Sequence, residues 1–271
     1  MQRKIHGQMS ESFLIAGILS ISGGLQDAYT YMYRGKVFAN AQTGNIVLLA
    51  QNLVDRNWQA ALRYFSPLLF FALGVAMAEC IRMRYQKAQK IHWRQLILVT
   101  EIVLLFAVGF FPNEMDLLAN AMVSFACAMQ VQAFRKVNGY AFASTMCIGN
   151  LRSGMESLCA YGKTKDKKIL QKSGYYFGII LLFAIGAALG GHMIKYIGAK
   201  TIWISCLILL ISFLCMFIKE EKEERQRGIL ILYALPDTCK LGLTEAQAYA
   251  VVWKTFQEIQ QAAPRAVVFY G

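Results

Sequence analysis

Six long apolar stretches dominate the sequence, at Phe13–Tyr33, Tyr64–Arg82, Trp93–Phe111, Leu117–Phe134, Gly174–His192 and Lys200–Ile218. Each approaches or exceeds the roughly 20 residues a helix needs to cross a hydrocarbon core about 30 Å thick. Aromatic rings gather near their ends, among them Tyr29, Tyr31, Tyr33, Trp93, Tyr175, Tyr176 and Trp203, where an amphipathic ring meets lipid headgroups. With 56% hydrophobic and 16% charged residues and a mean hydropathy of +0.40, the chain is too apolar for an ordinary water-soluble globule. The expectation is an all-α membrane protein of six transmembrane helices.

The formal net charge of +12 does not indicate a nucleic-acid partner, because the basic residues cluster between apolar stretches and describe orientation in a lipid bilayer. Arg3 and Lys4 precede the first stretch. Arg84, Lys87, Lys90 and Arg94 follow the second, with Arg82 at its edge. Arg135, Lys136, Arg152, Lys163, Lys165, Lys167, Lys168 and Lys172 follow the fourth, whereas Pro112–Asp116 has two acids and no base. The asymmetry predicts cytoplasmic termini. Arg34, Lys36, Arg56 and Arg63, after the first stretch, are the exception to the rule. No A-x-A-like cleavage site follows the first stretch, so it reads as retained. The seven cysteines form no CxxC pair and mostly sit in apolar surroundings, so neither a metal nor a cofactor is expected.

A weak duplication aligns Gln26–Asn45 with Val131–Asn150 at a constant offset of 105, both copies ending in Gly-Asn. Phe71–Ala76 likewise aligns with Phe183–Ala188. Three spans per copy, about 12–112 and about 116–218, would make the copies inverted repeats, an architecture typical of secondary transporters; the competing reading is a duplication that merely enlarged a bundle.

Between the spans, 37–53 and 140–162 read as re-entrant or interfacial segments, or as surface loops with capped amphipathic helices. The first carries Asn40, Gln42, Thr43, Gly44 and Asn45. Thr43-Gly44-Asn45 reads as a turn followed by a helix start, where Gly permits positive φ and Asn is a favoured N-cap, and Gly149-Asn150 repeats it. Amides at such helix starts, with Arg152 near the second, would favour an anionic or strongly hydrogen-bonding group.

Asp27, beside Gln26 and just past Gly23-Gly24, is an acid inside a predicted span. It reads either as a proton- or ion-coupling group or as a structural partner of Gln130, Gln132 or broken backbone. The glycines read as helix-packing contacts. Glu101, near the middle of the third span, is a second intramembrane candidate, with a neutral carboxyl bonded to a hydroxyl or amide as the alternative. Glu79 is expected to pair with Arg82. No H-E-x-x-H or G-x-S-x-G motif occurs, and no enzymatic activity is expected.

Gly24-Leu25-Gln26-Asp27-Ala28-Tyr29, then Val37-Phe38 leading to Gln42-Thr43-Gly44-Asn45, with the Gly-Asn echo at 149–150, resembles the YoaK-like family of bacterial multi-pass membrane proteins, a family of unknown function, over roughly residues 10–220. The resemblance implies an inner-membrane protein of about six helices and supplies no substrate. Ile148 stands where the first copy has Thr43, which counts against any role needing a threonine in both copies. Residues 1–219 are therefore expected to form the membrane domain. Residues 220–271 form a cytoplasmic tail, in which Ile229–Leu235, Thr244–Gln261 and Ala266–Tyr270 suggest a small β-α-β piece. The leading expectation is a transporter of a small solute with Asp27 at its centre. The alternative is a non-transporting assembly or sensor component acting through its loops and tail. A homo-oligomer is left open.

Overall fold

The computed structural model describes residues 12–85, 93–137, 140–142 and 144–216. The chain divides into two compact units, 1–215 and 216–271; the expected β-α-β tail lies outside the described residues.

The first unit is mostly helical: α1 Phe13–Tyr33, α2 Gln42–Val54, α3 Trp58–Tyr85, α4 Trp93–Val108, α5 Asp116–Ala133, α6 Cys147–Thr164 and α7 Lys167–Ile197, then α8 over 202–216. The two-residue strands β1 Lys136–Val137 and β2 Tyr140–Ala141 pair antiparallel between α5 and α6. Each of the six predicted spans falls on one of the helices α1, α3, α4, α5, α7 and α8. By length and composition, α3 and the run 167–216 are the candidates to cross a membrane. At 1.5 Å per residue, the 31 residues of α7 extend about 46 Å.

α1 packs chiefly on α7 and α3 on α5; α2 lies on α3, α6 on α7 and α4 on α5. Both main pairs rely on glycine. A Cβ on Gly186 of α7 would collide with the backbone carbonyl of Ile21, and one on Gly74 of α3 with that of Phe125 in α5. Gly24 meets the α7 backbone in the same way. Small residues permit this closeness where lipid removes the hydrophobic drive between helices.

The short helices α2 and α6 are amphipathic. Asn45 is the buried residue of α2, while Ile46, Val47 and Val54 are exposed. In α6, Asn150, Gly154 and Ser157 are buried, while Ile148, Leu151 and Met155 are exposed.

Here the structure corrects the expected turns. α2 begins at Gln42 and α6 at Cys147, with Ala41 and Met146 at the N-cap positions, so Gly44-Asn45 and Gly149-Asn150 lie inside the first helical turns. Neither glycine has positive φ. Asn45 closes a loop instead of capping the helix. Its Oδ1 accepts from the Phe38 amide at 3.1 Å, and its Nδ2 donates to the Phe38 carbonyl at 2.7 Å and to Gln42 Oε1 at 2.8 Å. An Asn side chain both donates and accepts, and here it pairs with both backbone groups of Phe38.

Arg34, the C-cap of α1, is fully buried. Its guanidinium donates to Tyr29 Oη at 2.9 Å, to Asp116 Oδ1 at 2.9 Å, and to the carbonyls of Val108, Phe111 and Pro112. It thereby caps the C-terminal end of α4 and ties it to the start of α5, using the five-donor fork that Lys lacks. Asn120 Nδ2 donates back to the Arg34 carbonyl at 2.7 Å. Further along the same pair of helices, Gln26 meets Cys127, and Gln130 meets the Leu19 carbonyl. α1 and α5 therefore run antiparallel.

Candidate functional site

After α1 the chain reverses through Gly35 and Lys36, both at positive φ, and folds back along the helix it has left. This return brings residues 39–41 onto Asp27. The Asn40 amide donates to Asp27 Oδ1 at 2.7 Å, and the Asn40 side-chain Nδ2 donates to the Gly23 carbonyl at 3.4 Å. Asp27 is thus the partner of a broken backbone segment, one of the two roles its sequence position suggests. It is 8% exposed.

The segment after α5 reaches the same place. Ser20 Oγ donates to the Ser144 carbonyl at 2.8 Å, Gln130 Nε2 reaches Ser144 Oγ at 3.2 Å, and the Thr145 methyl occupies the space a Cβ on Gly23 would need. Two non-helical segments, one from each half of the chain, therefore converge on Gly23. Asn40 and Thr145 are equivalent at the 105-residue offset. Asn40 Oδ1, Thr145 Oγ1 and Gln130 Oε1 are buried without a hydrogen-bond partner. Orphaned acceptors of this kind are uncommon and call for a reason.

One helical turn toward the N-terminus of α1 from Thr30, a second polar cluster joins α1, α4, α5 and α8. Gln26 Nε2 lies 3.0 Å from Ser22 Oγ, 2.9 Å from Ser205 Oγ and 3.1 Å from Glu101 Oε1; the Ser22 and Ser205 hydroxyls are 2.5 Å apart, and the Cys127 thiol donates to Gln26 Oε1 at 2.6 Å. Glu101 is completely buried, and its Oε2 has no partner.

Several predicted residues lie outside this centre. Gln132 donates to Glu79 Oε2 at 2.7 Å instead of meeting Asp27, and Glu79 pairs with Arg82 at 2.7 Å as expected. Arg152 is exposed and pairs with Glu156 at 2.9 Å along α6, so it does not assist a helix-start anion site. Gln42 fastens its side chain to the Ala39 carbonyl at 2.8 Å. Thr43, Gly44, Asn45, Gly149 and Asn150 belong to the two short helices that follow the converging segments. The sequence reading missed Ser22, Cys127, Ser144, Thr145 and Ser205. Ser22, Gln26 and Thr30, spaced by four, already form one polar stripe along α1, and that stripe was the available signal. A shallow groove lies elsewhere, between α6 and α7, lined in part by Ser153, Glu156, Lys172 and Tyr176. Asp27 itself is covered by the returning segment, whose Asn40 amide it accepts.

Long apolar helices with lipid-tolerant outer faces, enclosing a buried polar centre made of broken backbone and carboxyls, define an integral helical membrane protein. Residues 15–215 match the family model described as "Protein of unknown function (DUF1275)", and the chain belongs to that family. Over 185 residues it is 25% identical to the UPF0700 transmembrane protein YoaK of Bacillus subtilis (strain 168), an alignment covering 64% of this chain and 80% of that protein. Residues 214–271 match a second model, "Domain of unknown function (DUF4866)", so the tail that departs from the resemblance begins where the first match ends. No solved structure matches.

Proposed function

We propose that the chain is a six-span secondary transporter of a small solute, built from two inverted halves, α1–α4 and α5–α8, with its solute site where the two broken segments meet on Gly23. The observation that carries this reading is the shared seat of Asn40 and Thr145 on Gly23, each with an unpartnered buried oxygen. Those oxygens, with Gln130 Oε1, would accept hydrogen bonds from N–H or O–H groups of a solute. Broken backbone at membrane depth is tolerated where it lines a cavity or is buried in protein.

Several features support the inverted halves. Each half runs helix, returning segment, amphipathic helix, long helix, helix. α1 rests on α7 as α5 rests on α3, with Gly186 and Gly74, partners in the sequence alignment, at the two crossings. The equivalent helices α1 and α5 run antiparallel, the relation inversion requires. In this arrangement the termini are cytoplasmic and the protein is multi-pass in a bacterial inner membrane. The anomalous first-loop cation Arg34 is neutralised by Asp116, so it weighs little against the positive-inside pattern.

The test is flux in proteoliposomes loaded with panels of small polar solutes, comparing the wild-type protein with Asp27→Asn and Thr145→Val. The reading expects at least one solute to move and both substitutions to slow it tenfold or more. Unchanged flux of every solute in Asp27→Asn removes the central residue.

The separate domain match of residues 214–271 favours a second reading, a membrane component acting through its tail. A stable co-purifying partner lost when residues 220–271 are deleted, with no solute flux, would support that reading over transport.

A further inference from the structure

We infer that Glu101 is a proton-binding site, holding a proton on Oε2 while Oε1 accepts from Gln26. Four helices seal the group. α4 carries it, α1 supplies Ser22 and Gln26, α5 supplies Cys127, and α8 supplies Ser205. An ionised carboxylate in such a place needs a cation or several donors, and the side-chain contact of Glu101 is a single amide.

A count of hydrogens limits what the neighbours can add. Gln26 has two N–H donors facing three oxygens, Ser22 Oγ, Ser205 Oγ and Glu101 Oε1. The two hydroxyls face each other, and the Cys127 hydrogen goes to Gln26 Oε1. The contact between the hydroxyls uses one of their two hydrogens, and no donor lies within hydrogen-bond distance of Oε2. The titratable groups facing Glu101 are thiols, Cys127 on α5 and Cys206 on α8, the latter bonded to the Ile102 carbonyl at 3.7 Å. α1 carries one carboxyl group, Asp27, next in sequence to Gln26. No Lys, Arg or His among the described residues bonds to Glu101. A proton on Oε2 removes the charge, and a buried O–H without an acceptor costs far less than a buried ionised carboxylate. In transport, a proton taken up from one side would neutralise the carboxylate, and its release to the other side would restore the charged form. This coupling role rests on the transport reading, whereas the proton site itself does not.

The experiment is infrared spectroscopy of the full-length protein in lipid nanodiscs at neutral pH, in the region where a protonated carboxyl absorbs apart from carboxylates. The wild-type protein is expected to show a protonated-carboxyl band that is absent in Glu101→Gln. Should that variant fail to accumulate, wild-type protein made with 13C-carboxyl glutamate answers the same question, because the band shifts for a glutamate and stays in place for Asp27. Loss of a carboxylate band in the variant, or a band insensitive to glutamate labelling, would overturn the inference, as would a carboxylate band that shifts on addition of sodium. A protonated Glu101 in a protein that moves no solute would retain the site and sink the transport reading.

Discussion

Asp27 holds the amide of Asn40 at 2.7 Å, so a carboxylate on α1 fixes the point where the chain folds back into the molecule. Replacing it with alanine leaves a buried N–H without an acceptor, a loss of about 1–3 kcal/mol. Asparagine keeps an acceptor oxygen and should cost less. Thermal unfolding in one detergent is expected to rank the proteins wild type, then Asp27→Asn, then Asp27→Ala in falling Tm. A Tm for the alanine variant equal to the wild type would show that residues 39–41 are held by something else.

Arg34 gives a sharper contrast between two cations. Arg34→Ala strands three carbonyls and leaves the partly exposed Asp116 without its partner, at about 1–3 kcal/mol for each buried acceptor left unpaired. Arg34→Lys keeps the charge but cannot span Tyr29, Asp116 and the α4 carbonyls together. Both variants should lose most of the folded yield measured by fluorescence-detected gel filtration. Full recovery by lysine would mean that charge alone holds the junction.

The crossing of α1 and α7 has no room for a methyl group at Gly186, whose added Cβ would meet the Ile21 carbonyl. Gly186→Ala should cost about 1–3 kcal/mol through overpacking. Gly162→Ala, on α6 where nothing lies within 4 Å, is the matched control and should leave Tm unchanged or raise it slightly. Equal Tm values for the two variants would contradict the close α1–α7 packing.

The helices were legible in the sequence because apolar length is a local property: α1 has the bounds read from the sequence, and the other five predicted spans each fall on a helix. The returning segments were found as polar interruptions, but their geometry was misread. Gly-Asn before an apolar run looks like a cap, yet the Asn45 amide bonds the Phe38 peptide from within the helix, a choice that depends on where the preceding loop lies. Asp27, Gln26 and Glu101 stood out because ionisable and amide groups are costly in a span. Ser22 and Ser205, 183 residues apart, carried little signal, since a serine in a membrane helix can satisfy itself on its own backbone. Asn40 and Thr145 differ in residue type, so their equivalence emerges from position on the fold more than from identity.

The central claim is that the centre around Gly23 opens in turn to each side of the membrane. Thr145→Cys and Asn40→Cys, each in a cysteine-free background, can be exposed to a membrane-impermeant thiol reagent in sealed right-side-out and inside-out vesicles. Labelling of both positions from both sides is expected, slowed when a transported solute or a locking substitution holds one packing. Labelling from neither side, with the same reagent reaching a cysteine placed at Glu114, would contradict it.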